Sequence, residues 1–242
     1  VSGFTNIKTE RKLKKLVWKK YAFEFLSIFI ALISAFALNN WNDERKNSLA
    51  ESKILLEILN GLKADQIDIE ANVVGHQKGI RSCDFWTEVF NGKSPDLDTL
   101  QHYYFVLTRD FISIQNVSGY ETLKSRGFEL IKNDSLRTTI ISLYEFDYQN
   151  LRKLEEEYSE LQFQDNYFHE INMVIAPHFI FDSKGNIGGM QLPIQLDETE
   201  RKIMLSYLWK IKMNREFILS VYNIAKEKQI ELIEKIEVEL AS

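Results

Sequence analysis

Glu24 is the first residue whose type and place require a chemical explanation, because it lies within an apolar run from Tyr21 to Leu38. A carboxylate inside a lipid-spanning helix is costly, about 2.5–3.5 kcal/mol for Asp at the helix centre, and marks a functional position by default. Its place about one turn inside the boundary, near the positive end of the helix dipole and Lys20, lowers that cost. At helical spacing Glu24, Ser27, Ala31, Ser34 and Leu38 share one stripe, with Ala35 beside it. Small and polar residues on one stripe are what close helix association in lipid needs. The expected chemistry is pairing of hydroxyls and carboxylate across an oligomer contact made by Glu24, Ser27, Ala31, Ser34 and Ala35. A ring of Glu24 lining a passage, as in an oligomeric channel or membrane-disrupting effector, is the alternative.

The four histidines are His76, His102, His169 and His178. Asp165 and His169 have the one-turn spacing of two metal ligands on a helix, yet neither a Glu-x-x-His pair nor a His-Glu-x-x-His motif accompanies them. Their expected role is therefore packing: Asp165 and Asn172 interrupt an apolar seam and set register, with His169 as a neighbour. No Gly-x-Ser-x-Gly elbow, P-loop or dinucleotide fingerprint is present. Gly185 to Gly189 is glycine-rich but reads as a loop. Cys83 is the only cysteine, which excludes an intramolecular disulfide and gives the expectation of a buried, inert thiol. The residues point to no catalytic group, no cofactor and no metal, hence to a protein that is not an enzyme.

The apolar run dictates the element that carries Glu24. Phe25, Leu26, Ile28, Phe29, Ile30, Leu32, Ile33, Phe36 and Leu38 lie within it, and a helix from Trp18 to Trp41 rises roughly 35 Å. That spans a hydrocarbon core of about 30 Å, with Trp18, Tyr21 and Trp41 as interface anchors. Before the run stand Lys8, Arg11, Lys12, Lys14, Lys15, Lys19 and Lys20 against Glu10; after it, Asp43 and Glu44 balance Arg45 and Lys46. The positive-inside rule then gives a cytoplasmic basic segment at 1–20, a transmembrane helix at 21–38 and an outer domain at 39–242. A cleaved signal peptide ending near Ala35-Phe36-Ala37 ranks second, since a secretory h-region is typically about 7–15 residues.

The whole chain has a formal net charge of −5, and its first twenty residues are strongly basic, so the outer part is more acidic than the whole. Nucleic acid is thereby excluded as a partner, because phosphate neutralisation needs clustered Lys and Arg. The basic segment favours the lipid bilayer and its anionic headgroups.

Periodicity makes the outer domain helical. Leu55, Leu59, Leu62, Ile69, Val73, Ile80 and Phe90 form one alternating seam, with Gln66, His76, Cys83 and Thr87 in its gaps and no proline separating it from the span. Gly61, Gly75 and Gly79 each weaken such a helix by around 1 kcal/mol and predict a bend near Gly75 to Gly79. Asp96 or Asp98 caps a short helix through Leu107, Phe111 to Gln115 is loop or strand, and Ser118 with Glu121 has capping-box spacing. Gly127 stops that helix and Asn133 or Asp134 caps the next. The spacing of Leu151, Leu154, Tyr158, Leu161, Asp165, Phe168, Asn172 and Ile175 predicts one long helix over 135–176. Tyr144, Phe146, Tyr148, Tyr158, Phe163, Tyr167 and Phe168 crowd it and supply mostly core. A small β-hairpin or ordered loop fits 177–196. Asp197 and Glu200 then start a last helix burying Met204, Leu208, Ile211, Ile218, Tyr222, Ala225, Leu232 and Ile236. The predicted fold class is all-α: one transmembrane helix continuing into an antiparallel helical bundle.

Two stretches carry a family resemblance. Tyr21 to Lys46, with Glu24 early in the span and Asn39-Asn40-Trp41-Asn42-Asp43 at its exit, is the first. The second is Gly119-Tyr120-Glu121-Thr122-Leu123-Lys124-Ser125-Arg126-Gly127, followed by Glu129 to Asp134 and Leu136-Arg137. Together they resemble a Bacteroidota family of single-span proteins classed as a domain of unknown function. The chain departs from the family pattern at Phe23 and Ala31, where glycine is usual. The resemblance implies a Gram-negative inner-membrane protein with a periplasmic outer domain, and it supplies no activity. The expected role is an oligomeric scaffold, interaction or sensing module, a homo-oligomer that also holds an envelope protein partner.

Overall fold

The computed structural model describes the backbone of residues 4–241, and the side chains of Trp18 and residues 21–241. Apart from Trp18, the side chains of the basic segment lie outside the described residues. The chain divides into two compact units, Val1–Ser52 and Lys53–Ser242.

Helix α1 runs from Phe4 to Phe90 without interruption. In the first unit every side chain from Tyr21 to Leu49 is exposed, including the whole apolar run. After that run, Asn39 Nδ2 donates to Asp43 Oδ2 at 3.1 Å, and the Arg45 guanidinium lies 6.0 Å from the Trp41 ring. The exit motif is thus tied by one-turn pairs on its own helix.

The second unit is helical with a two-stranded sheet. It holds the rest of α1, then α2 (Leu97–Leu107), α3 (Ser118–Arg126), α4 (Asp134–Ser142), α5 (Tyr148–Glu157), α6 (Phe163–Asn166), α7 (Phe168–Ile175), β1 (Phe179–Phe181), β2 (Ile187–Met190) and α8 (Glu198–Ala241). Its core lies between α1 and α8, which pack antiparallel: Lys63 pairs with Glu237, Lys226 with Glu70 and Lys212 with Asp84. These exposed ion pairs fix direction more than they add stability, since such pairs contribute about 0–1 kcal/mol. Beneath them the expected seam of α8 is buried throughout, from Met204 to Ile236.

Several caps form as the residues dictate. Asp96 accepts from Thr99 N at 2.9 Å, Asn133 from Leu136 N at 3.2 Å, and Asp197 and Glu200 exchange reciprocal bonds of 2.8 and 3.0 Å. Gly127 ends α3 at φ +97°. Ser118 departs from expectation: it is the first helical residue, and Asn116 Oδ1 accepts from its amide at 3.2 Å.

The single long helix expected over 135–176 does not form. It breaks into α4, a π turn over Leu143–Asp147, α5, a 3-10 turn over Ser159–Leu161, α6 and α7. The physical reason is aromatic seating. Tyr144, Tyr148, Phe163 and Tyr167 are all buried although they do not share one helical stripe, and the π turn and breaks rotate them inward. Phe146 and Tyr158 stay exposed. The hairpin does form: Phe179 pairs with Met190 and Phe181 with Ile187, with a register shift after Ile180.

Candidate functional site

Two candidate features stand out, one in each unit. The first is the exposed stripe. Glu24, Ser27, Ala31, Ser34 and Ala35 are all solvent-facing on α1, as are Trp18, Tyr21 and Trp41. Ser27 Oγ donates to the Phe23 carbonyl at 2.8 Å, so that hydroxyl proton is engaged within its own helix.

The second is a buried polar seam that sequence reasoning missed. Residues 108–117 form a strap with no helix or strand, so its amides need partners other than a ladder. Carboxylates supply them. Asp65 Oδ1 accepts from Asn116 N at 2.7 Å, Asp68 Oδ2 from Ile114 N at 2.9 Å and Ser113 Oγ at 2.8 Å, and Glu155 Oε1 from Ser113 N at 3.2 Å. Glu155 Oε1 also accepts from the Tyr222 hydroxyl, while its Oε2 is buried without a hydrogen-bond partner. Tyr148 donates to Asp65 Oδ2 at 3.2 Å and accepts from Gln229 Nε2 at 2.8 Å. The strap contributes an acid of its own: Asp110 Oδ1 accepts from Phe163 N at 2.9 Å, at the start of α6.

Arg215 closes the other end of the strap. Fully buried, it donates from Nη2 to the carbonyls of Leu107 at 3.0 Å and Arg109 at 2.9 Å. The Leu107 oxygen ends α2, where the helix dipole favours a cation, and the Arg109 oxygen lies two residues beyond it. The guanidinium also lies 4.2 Å from the Phe163 ring centroid and 5.6 Å from that of Phe111. Its Nη1 meets His76 Nδ1 at 3.2 Å. With arginine donating, Nδ1 accepts and the imidazole is neutral. Burial first and the Arg215 charge second push the His76 pKa down to about 3. Burial pushes the carboxyls the other way, Asp65 up to about 6 and Glu155 up to about 7.

Glycines let the strap sit this close to α1. A Cβ on Gly75 would overlap the Phe111 ring and one on Gly79 would overlap Arg215, while one on Gly61 would lie 3.2 Å from Asn116 Cγ. The expected weak points of the helix are therefore its docking positions, and the helix continues through them.

The Gly119 motif is likewise structural in its contacts. A Cβ there would lie 2.8 Å from the backbone nitrogen of Ile58. Tyr120 stacks on Tyr144 with centroids 4.5 Å apart, and Glu145 Oε1 accepts from Tyr120 and Lys124 at 2.7 and 2.9 Å. Arg137 donates to the Ile131 carbonyl at 3.0 Å and to Asp134 at 2.7 Å.

Asp165 and His169 are exposed and fall in separate helices, α6 and α7. Among the described residues no group of three or more His, Cys, Asp or Glu is arranged to hold a metal ion. Gly185 to Gly189 forms the hairpin turn and the start of β2, with Asp182 Oδ1 accepting from the amides of Lys184 and Asn186 at 2.8 Å each. No family model, curated protein or solved structure matches the chain.

Proposed function

We propose that this chain is a bitopic inner-membrane protein whose helical domain acts in the periplasm as an oligomeric scaffold, interaction or sensing module without catalysis. One observation carries the reading: α1 contains a window of mean hydropathy 2.0 of which nothing is buried. A core helix of that composition would be covered by its neighbours, whereas this one leaves Phe25, Ile28, Phe29, Leu32, Ile33 and Phe36 exposed. Each such side chain gains roughly 1.5–3 kcal/mol on leaving water. Lipid is the solvent that fits it.

The lysine-rich flank supports a cytoplasmic amino terminus. The stripe of Glu24, Ser27, Ala31, Ser34 and Ala35 supports self-association through the span, with Ala31 and Ala35 permitting close approach. The resemblance to the Bacteroidota single-span family supports the envelope location.

Alkaline carbonate extraction of vesicles, combined with the intact mass of the mature protein, tests the reading. Retention in the pellet at full mass is expected. Release of the intact chain would refute the anchor, and a mass lacking the apolar run would identify a cleaved signal peptide instead.

A further inference from the structure

We propose that a cavity between α4, the π turn and α8 binds a small zwitterionic amino acid, its ammonium held by Asp147 and its carboxylate by Lys228 and Ser142. Such a site goes beyond the scaffold role, and it lies wholly in the second unit, independent of whether α1 crosses a membrane.

The π turn assembles one wall. Ser142 and Asp147 stand at positions i and i+5, a spacing that sets side chains about 140° apart on an α-helix of 3.6 residues per turn. The turn over Leu143–Asp147, closed by Tyr148 N on the Leu143 carbonyl, winds wider and returns the pair to one face. Thr138, one turn before Ser142, joins them, and Lys228 and Glu231 of α8 supply the opposite wall. The cavity between the walls is about 190 Å³.

The fold leaves three of its polar groups to spare. Asp147 Oδ2 is buried and, among the described residues, receives no hydrogen bond, an unfavourable state that a ligand donor would relieve. Lys228 Nζ lies 3.9 Å from Glu231 Oε2, beyond hydrogen-bond reach, and among the described residues it forms no ion pair with Asp147, although its charge acts there. Ser142 keeps its hydroxyl proton free for a ligand, whereas Thr138 donates to the Asp134 carbonyl at 2.8 Å and Thr139 to that of Ser135 at 2.9 Å. Glu231 Oε1 is taken by Lys235 at 2.8 Å.

A carboxylate and an ammonium that share a cavity without touching are the complement of a ligand carrying both charges. A simple anion would be repelled by Asp147 and Glu231, and a simple amine by Lys228. Size narrows the class. A cavity of about 150 Å³ admits benzene, so this one takes a molecule of similar or slightly larger size, as glycine, alanine and serine are. Leu143 alone among the lining residues is apolar, which gives a large apolar ligand side chain little to bury against.

Isothermal titration calorimetry of the full-length protein in mild detergent, with glycine, L-alanine and L-serine as probes, tests this. At least one should bind saturably at a single site, and acetate and methylamine, each carrying one of the two charges, should bind at least about tenfold more weakly. Asp147→Asn and Lys228→Met should each weaken the amino acid by at least about tenfold. Both should leave the unfolding midpoint close to that of the natural protein, since Asp147 is half-buried, Lys228 is exposed and neither side chain makes a hydrogen bond among the described residues. Either variant serves if the other does not fold. No saturable binding of any of the three probes would overturn the site. So would acetate or methylamine binding as tightly as the amino acid, or binding unchanged in the variants that fold.

Discussion

Arg215 occupies the volume that a Cβ on Gly79 would fill. One helix has given up a side chain so that the other can pass a guanidinium through to the end of α2. That relationship organises the second unit, because Arg215 reaches the α2 carbonyls, His76 and the faces of Phe111 and Phe163 from this one position.

Gly79→Ala should therefore destabilise the protein although alanine is the better helix former. The gain in propensity is about 1 kcal/mol, and overpacking costs typically about 1–3 kcal/mol. Here the obstructed atoms are Nε, Cζ and Cδ of a side chain pinned at its far end, so they cannot swing away. Gly61→Ala, which meets only Asn116 at 3.2 Å, should be close to neutral. Thermal unfolding followed by far-ultraviolet circular dichroism in mild detergent would rank the two.

Arg215→Ala should be strongly destabilising, because each buried acceptor left without its donor costs about 1–3 kcal/mol. The loss strands the carbonyls of Leu107 and Arg109 and opens a void between two rings. Lysine keeps the charge but lacks the planar fork, so Arg215→Lys should recover only part of the loss. Chemical denaturation of the three proteins under one condition gives the order.

Stability should pass through a maximum in mild acid. Asp65 and Glu155 have folded pKa values raised to about 6 and 7, so their contribution is whole below pH 4 and is lost as pH rises through 4–7. His76 has the opposite sign: its folded value of about 3 means that stability is complete above 6.5 and lost as pH falls from there toward 3. Unfolding midpoints measured from pH 2.5 to 8.5 should rise to a maximum at about pH 4 and fall from there through about pH 7, and Glu155→Gln should shallow the falling limb.

Cys83 should be inert in the folded protein. It is 1 % exposed and burial pushes its thiol up to about 12, so it is neither reachable nor ionised at neutral pH. A maleimide should label it only after denaturation, and rapid labelling of the native protein would contradict the packing of α1.

The fold was readable where a local rule acted alone. The Asp197–Glu200 box, the Asp96 and Asn133 caps and the α8 seam depend on residues within one or two turns, and all took the expected form. The region 135–176 failed because a 3-4 spacing was satisfied by apolar residues whose larger aromatic neighbours competed for the same core. The buried polar seam stayed hidden for a related reason. Asp65, Asp68 and Glu155 are ordinary acids in a linear view, and only the strap brought against them from 42 to 51 residues away turns them into amide acceptors. One signal did point to it: the α8 seam skips Arg215 and Gln229 at positions where its own spacing demands an inward residue, and both are fully buried. A polar residue in such a gap marks a partner elsewhere in the chain.

The antiparallel pairing of α1 with α8 has a consequence for biogenesis. Lys63 reaches Glu237 across 174 residues and Lys226 reaches Glu70 across 156, so the half-core displayed by α1 waits for its complement until α8 has been synthesised. During that interval Leu62, Ile69 and Val73 lack the cover that α8 later helps to provide. Nascent chains stalled short of Tyr222 should be the species that proteases and chaperones meet, which makes the interval between synthesis of α1 and of α8 the vulnerable stage.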